Sequence, residues 1–473
     1  MQKIGRAARE SLNRRPNPVV SFFENRGSVQ KLAIAHRFRT HSVPFAERRF
    51  IRMNYIVENH KIPIKGEYDI IVAGAGVAGL AAALAARRGG KRVLLLEKSI
   101  MLGGLATLGH INYFVPMCNG RGRQIAKGMV DEFIRIATRY GYDVTPQSWK
   151  NGEPGPGPEG SVPERYGVRY SACMFALALT EMVRNTGIDV SFDTIASEPL
   201  MDGKHCRGVI VENKSGRQFY VAGVVIDCTG DADILFRAGV PTVQGGNYFS
   251  YLAYGIDLAH CNLAVENRRI DQAVFYMSGG SSNLYGKGHP DGMPLFSGTT
   301  GEDVNRYLLE NQLELLRKLK GDDRAVRQVI SLPGMCQYRT TRRIMGDYTL
   351  RVEDRYKHFA DSIAAVSDFE QRDYLYEIPY RTLVHKGYDN LITAGRSASG
   401  EGYAWDIMRV IPPAILTGQA AGCAAVQSLD MGVGIDAIDV ERLQTVLKDQ
   451  NVILHFDDAW RMDSSNQSGG ESV

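Results

Sequence analysis

The stretch Tyr68-Asp-Ile-Ile-Val-Ala-Gly74-Ala-Gly76-Val-Ala-Gly79-Leu80, with Val93-Leu-Leu-Leu-Glu97 after it, decides the fold. An apolar run of strand length leads into G-x-G-x-x-G. An Ala-rich helix pattern follows, and a second apolar strand then ends in an acid, Glu97. Each part has a task in holding a dinucleotide. Gly74 makes the tight turn, Gly76 lets backbone N–H groups approach a pyrophosphate, and Gly79 lets helix and strand pack closely. The helix start around Ala78 opposes the phosphate charge. Glu97, with Lys98 beside it, is placed to accept ribose hydroxyl hydrogen bonds. A lone G-x-G-x-x-G also opens ordinary helices. The frame of two strands, a helix and a spaced acid separates the two readings.

The residues after Glu97 choose among dinucleotides. Gly103-Gly104-Leu-Ala-Thr107-Leu-Gly109 brings backbone to the same ligand a second time, as a long FAD requires along its pyrophosphate and ribityl chain. Val224-Val-Ile-Asp-Cys-Thr229-Gly230-Asp231 is an apolar strand ending in Thr-Gly-Asp. Asn390-Leu-Ile-Thr-Ala-Gly395-Arg396 is another strand ending in glycine, and Pro412-Pro413-Ala414-Ile-Leu-Thr-Gly418-Gln-Ala-Ala-Gly422 opens a further helix.

Together these segments resemble the glutathione-reductase-like FAD proteins and, more closely, the group of FAD-dependent oxidoreductases. That group's pattern is G-x-G-x-x-G, E, GG-x-x-T, TGD, IPYR, NL-x-x-AGR, RV-x-P and GQAAG. This chain has Ile378-Pro-Tyr-Arg381, Asn390-Leu391, Ala394-Gly-Arg396, Arg409-Val-Ile-Pro412 and Gly418-Gln-Ala-Ala-Gly422. The likeness covers residues 53 to about 437 and is nearly silent on substrate. It implies an α/β fold: a Rossmann-like FAD-binding domain of parallel sheet, helices and β-meander, with an inserted α+β substrate domain. It also implies a backbone contact to adenine at Ile195 and a flavin contact at the helix start of Pro413 and Ala414. Other relatives carry an Asp on the ribityl chain where this chain has Arg396, which leaves that contact open.

The 473 residues exceed one typical core, and 44% apolar with 23% charged residues describes a soluble globular protein. Residues 1–52 carry ten Arg and two Lys against three Glu, a net of +9, so the rest holds −5 of the chain's +4. No basic face remains to suggest nucleic acid. The Arg-rich, acid-poor start has the look of a transit peptide, but Met53-Asn-Tyr-Ile-Val-Glu reads as a natural beginning. Seven cysteines without any C-x-x-C point to a reducing, cytoplasmic setting and exclude a reactive thiol pair or iron–sulfur cluster. No membrane span and no metal site are expected.

The expected organisation is a poorly ordered basic extension at 1–65 and the first part of the FAD domain at 66–240. A substrate domain follows at 241–377, the rest of the FAD domain at 378–437, and a helix with a disordered tail at 438–473. Helices are expected at 124–140, 171–186 and 302–319, strands at 189–195, 206–228 and 249–256, and loops at 146–163 and 278–301.

Candidate reacting groups lie in two segments. His110, after the second glycine pair, is of a type that titrates near neutrality and can take a substrate proton; a lone His is otherwise structural. Tyr403, Trp405, Asp406 and Arg409 precede the last helix. The two aromatics are placed to wall the flavin, Asp406 to act as base and Arg409 to hold a carboxylate or the flavin carbonyl. An Asp406–Arg409 ion pair is the plainer reading. Arg339, Arg342 and Arg343 form a cluster suited to an anionic substrate, or to pairing with Asp347. The function implied is hydride transfer between a small organic molecule and flavin N5, by a dehydrogenase or reductase. The rival is a protein whose FAD is structural. Homodimerisation and the electron partner, whether substrate, oxygen, quinone or protein, stay open.

Overall fold

Ile70-Ile71-Val72-Ala73 is buried on both faces, as strand residues are in a parallel sheet covered on either side. The computed structural model describes residues 58–120, 123–145, 167–371 and 373–461. The expectations for the basic extension, for 146–163 and for the tail after 461 lie outside, or almost wholly outside, the described residues. The strand Ile64–Ala73 runs parallel to Val93–Leu96 on one side and to Gly216–Asp227 on the other. It starts four residues before Tyr68, because Ile64 to Tyr68 pair with Phe219 to Ala222. Asp189–Ser191 extends the sheet beyond Val93–Leu96, and Leu391–Thr393 returns parallel to the end of Gly216–Asp227. Ile195–Asp202 and His205–Asn213 form the antiparallel meander and join Gly216–Asp227 through a turn between Asn213 and Gly216.

The two-residue period of a strand sorts the side chains into two cores. Ile70 and Val72 pack with the helices Val77–Arg88 and Ile411–Met431, while Ile71 and Ala73 pack with Val209, Val211, Ile234 and Leu235. Each large apolar side chain so buried contributes about 1.5–3 kcal/mol. The two helices touch through small residues. A Cβ on Gly418 would lie 2.1 Å from the Ala78 carbonyl oxygen, and one on Gly422 would lie 2.3 Å from that of Ala82.

Within 241–377, Ser250–Asp257 alternates half-buried and buried residues between the antiparallel strands Phe275–Ser281 and Arg327–Ser331. The helix Gly301–Leu319 packs on this sheet through Tyr307 and Leu315. The loop expected from Ser278 is strand until Ser281. Gly279 and Gly280 are there for contact, since their Cβ atoms would fall 2.3 Å from Asn311 O and 2.5 Å from the Phe249 backbone. The helix expected at 124–140 is shorter, Met129–Thr138, because Gly128 turns the chain with φ +69°. The strand expected at 189–195 stops at Ser191.

Candidate functional site

A cleft of about 470 Å³ opens at the carboxyl ends of the parallel strands. Gly74, Gly76 and Ala78 line it, with Glu97, Lys98, Gly103 and Gly104 from the second strand and its turn. Ile195, Thr229, Gly230, Gly395, Arg396, Arg409 and Ala414 come from later segments. The fingerprint glycines divide their work by direction. Gly74, at φ +99°, would place a Cβ 2.4 Å from Cys228 O, and Gly79 would place one 1.9 Å from Gly74 O. Gly76 has no heavy atom within 4 Å of its Cβ position, so its missing side chain is room in the cleft. No side chain caps the helix that Gly76 opens, which leaves its first N–H groups to a ligand. Glu97 accepts from Ala75 N and Ser99 N, both at 2.8 Å, and keeps further lone pairs for hydroxyl donors.

Arg396 joins the two later motifs. Its Nη2 contacts Asp231 Oδ1 at 2.6 Å, its Nε donates to Gly230 O at 2.7 Å and its Nη1 to Tyr338 O at 2.6 Å. Behind this knot, buried Asp227 accepts from Thr229, Ile234 and Leu235 N–H groups, and burial raises its pKa. Four expected contacts do not reach the cleft wall. Gly79 packs helix on strand, Thr107 donates to Leu102 O at 2.5 Å, Asp231 is held by Arg396 and Thr341, and Pro413 is buried.

A second pocket of about 410 Å³ adjoins the cleft. Tyr403, Trp405 and Asp406 line this pocket and not the cleft, together with Tyr248, Tyr285, Arg339 and Arg343. The aromatics therefore wall the neighbouring pocket. Trp405 Nε1 donates to Arg396 O at 2.6 Å, and Tyr403 donates to Asp368 Oδ1 at 2.6 Å. Burial first, then Asp368, pushes the Tyr403 phenol pKa up. Asp406 and Arg409 form the ion pair, at 2.5 Å, on the short helix Tyr403–Arg409. Asp406 faces the pocket and Arg409 the cleft. Arg342 parts from the other two arginines, contacting Asp233 at 3.4 Å and lying over Phe236.

His110 lines neither space. It stacks on Tyr254 with ring centroids 4.1 Å apart, its Nε2 is 3.1 Å from Ser331 Oγ, and its buried Nδ1 has no hydrogen-bond partner. Burial lowers its pKa to about 4, against the expected titration near neutrality. Elsewhere, His358 and His455 contact the buried Glu377 carboxylate at 2.6 and 3.0 Å and tie the C-terminal segment to the strand Leu375–Pro379.

The family model for FAD dependent oxidoreductases matches residues 69–278 and 296–447, most of the chain. The chain belongs to that family. FAD is the cofactor of this FAD dependent oxidoreductase. Gly76's open approach, the uncapped helix start and the second glycine pair fit the pyrophosphate such a group brings. A thioredoxin reductase of Ureaplasma parvum serovar 3 is 30% identical over 77 residues, 16% of this chain and 25% of that protein. The match thus spans a quarter of that relative's length. Among solved structures, a geranylgeranyl bacteriochlorophyll reductase-like protein from Thermoplasma acidophilum is 14% identical with TM-score 0.43, over 81% of this chain and 84% of that one. A flavoprotein/dehydrogenase from Cytophaga hutchinsonii is 14% identical with TM-score 0.39, over 81% and 86%.

Sequence reasoning missed several residues of this oxidoreductase. Asp233 and Arg237 line the cleft just beyond Thr229-Gly230-Asp231, where proximity to the motif was the available signal. Gly334 and Met335 reach it from the inserted region, held by the Gly334 N–Leu108 O hydrogen bond of 3.0 Å, and no local pattern marks them. Tyr248 and Tyr285 are likewise brought to the pocket by tertiary structure alone. No described helix is long and apolar enough to cross a membrane.

Proposed function

We propose that this oxidoreductase exchanges a hydride between a small organic substrate and flavin N5, with the substrate in the pocket walled by Tyr403, Trp405 and Asp406. The single observation that carries the reading is the Asp406–Arg409 pair, whose two members touch at 2.5 Å and line two different cavities. The bound flavin supplies the hydride acceptor or donor. Asp406 is assigned the proton: one oxygen accepts from Arg409 Nε at 2.6 Å, and the other is left for a substrate O–H or N–H. Arg409 holds that carboxylate in place at the border of the cleft. Tyr403 stays protonated against Asp368 and shapes the wall. His110 enters in a reduced role, a neutral ring that positions the 108–112 turn under Tyr254.

Gly74, Gly76, Gly103 and Gly104 are assigned to the pyrophosphate, Glu97 to a ribose and Ile195 to the adenine. The start of the helix Ile411–Met431 is assigned to the flavin's N1 edge. Pro412 and Pro413 have no N–H, so Ile411 N is the donor of the first three helical residues, and the helix dipole supplies the rest of the positive potential. The segment 241–377 serves as the substrate domain in this reading.

The test is an anaerobic screen of the FAD-loaded protein against sugars, hydroxy acids and amines, with product identification. Bleaching of the flavin absorbance with a matching oxidised product is the expected result. A flavin that no donor bleaches, yet whose removal unfolds the protein, would establish the structural-flavin alternative.

A further inference from the structure

We propose that the pocket beside the flavin cleft is built for a carboxylate-bearing small molecule, gripped by Arg343 and Arg339 against an aromatic wall. This rests on the reading of that pocket as the substrate chamber. Arg343 is 6% exposed and lines the pocket. Of its five N–H donors, those on Nη1 reach Ile344 O and Ser399 Oγ, both at 3.1 Å. Its Nε is buried without a partner, and among the described residues Nη2 donates no hydrogen bond. The Nε–Nη2 edge is the face by which an arginine holds a carboxylate through two parallel hydrogen bonds. A buried cation lacking an anion is costly unless a ligand supplies one.

Arg339 adds a second charge. Its Nη1 and Nη2 donate only to the carbonyls of Asn283 at 2.9 Å and Ser282 at 3.3 Å, which are neutral acceptors. Burial first, and then the nearby Arg409, pushes its pKa down against the opposing charges of Asp406 and Glu370, and burial pushes Arg343 down against Glu401. The acids nearby are committed. Asp406 is paired with Arg409 at 2.5 Å, Glu401 with Arg351 at 3.3 Å, and Glu370 accepts from the Tyr285 hydroxyl. Arg343 also sits 5.6 Å from the Trp405 ring centroid, which places the cation beside the aromatic wall. The two arginines and Asp406 thus line the same pocket.

The experiment titrates the FAD-loaded protein by calorimetry with acetate, succinate, benzoate, the neutral benzamide and inorganic phosphate, and follows the visible flavin bands during the benzoate titration. Carboxylates should bind, with benzamide at least about tenfold weaker. Arg343→Met should weaken carboxylate binding about ten- to a hundredfold at unchanged flavin content, the loss expected for charge-assisted hydrogen bonds. Arg343→Lys should recover only part, since it restores charge without the fork. Arg339→Met should weaken binding by a smaller factor, and it carries the test with Arg343→Lys if Arg343→Met does not fold. Equal binding of benzamide and benzoate, absence of carboxylate binding, or full affinity in Arg339→Met and the Arg343 variants would overturn the proposal. Phosphate binding tighter than every carboxylate would also overturn it. Carboxylate binding that leaves the flavin bands and flavin reduction untouched would overturn the substrate-chamber reading and leave the anion grip standing.

Discussion

The cleft and the pocket beside it differ in what shapes them. The cleft is made of backbone and missing side chains: Gly76 leaves open space, Gly74, Gly103 and Gly104 turn the chain at positive φ, and the helices begin without side-chain caps. The pocket also has glycines, Gly245, Gly246, Gly400 and Gly402, but it is shaped by large side chains, Tyr248, Tyr285, Tyr403, Trp405 and two arginines. A backbone cradle suits a ligand that never changes, because glycine positions are fixed by sheet geometry. A side-chain pocket can be refitted one residue at a time while the sheet stays as it is. The Asp406–Arg409 pair stands between the two.

The comparison breaks first at its glycines. Gly79→Val should fail to fold, since its Cβ has a carbonyl oxygen 1.9 Å away. Gly76→Val should fold yet lose FAD, since that Cβ meets only open cleft. Soluble yield, far-UV circular dichroism and flavin absorbance separate the two, and a flavin-replete Gly76→Val protein would move the phosphate site elsewhere. Next in size is the Arg396 knot. Arg396→Met leaves Asp231 without its buried cation and should cost about 3–5 kcal/mol in urea unfolding, with lowered FAD content. An unchanged midpoint would show that Thr341 alone satisfies Asp231.

A smaller effect sharpens the contrast from the side of pH. His110 has a folded pKa lowered to about 4, so below its unfolded pKa near 6.5 the unfolded chain binds the extra proton. Its contribution is therefore fully present above that unfolded pKa and is lost as pH falls toward the folded one, by on the order of 3 kcal/mol. The melting temperature of the FAD-loaded protein should fall through that window, and His110→Gln should flatten the fall. Identical pH profiles would place the acid sensitivity in the carboxylates. In flavin reduction, His110→Gln should stay within a few-fold of wild type, because the ring positions rather than transfers.

The cleft was legible in the sequence because its parts are local. A strand, a turn glycine and a helix start within twelve residues cannot serve many folds, and Thr229-Gly230-Asp231 and Gly395-Arg396 proved to be two halves of one hydrogen-bonded knot. The pocket was legible only in fragments. Tyr403, Asp406, Arg339 and Arg343 stood out by type, but sequence spacing had no means of sending Arg342 to Asp233 and Arg343 to Trp405. Neighbours on a strand point to opposite faces, so adjacent arginines part by construction. His110 was misread for the same reason. Its charge state depends on burial, and the Tyr254 ring stacked on it comes from a sheet more than a hundred residues away.

The claim that substrate meets flavin across the Asp406–Arg409 pair is tested most directly by single-turnover flavin reduction in Asp406→Asn, under anaerobic conditions and at matched FAD content, with the substrate the screen identifies. Loss of the proton acceptor should slow bleaching by about a hundredfold or more while FAD stays bound. A rate within about threefold of wild type would contradict it, because a general base typically contributes about 10²–10⁴-fold.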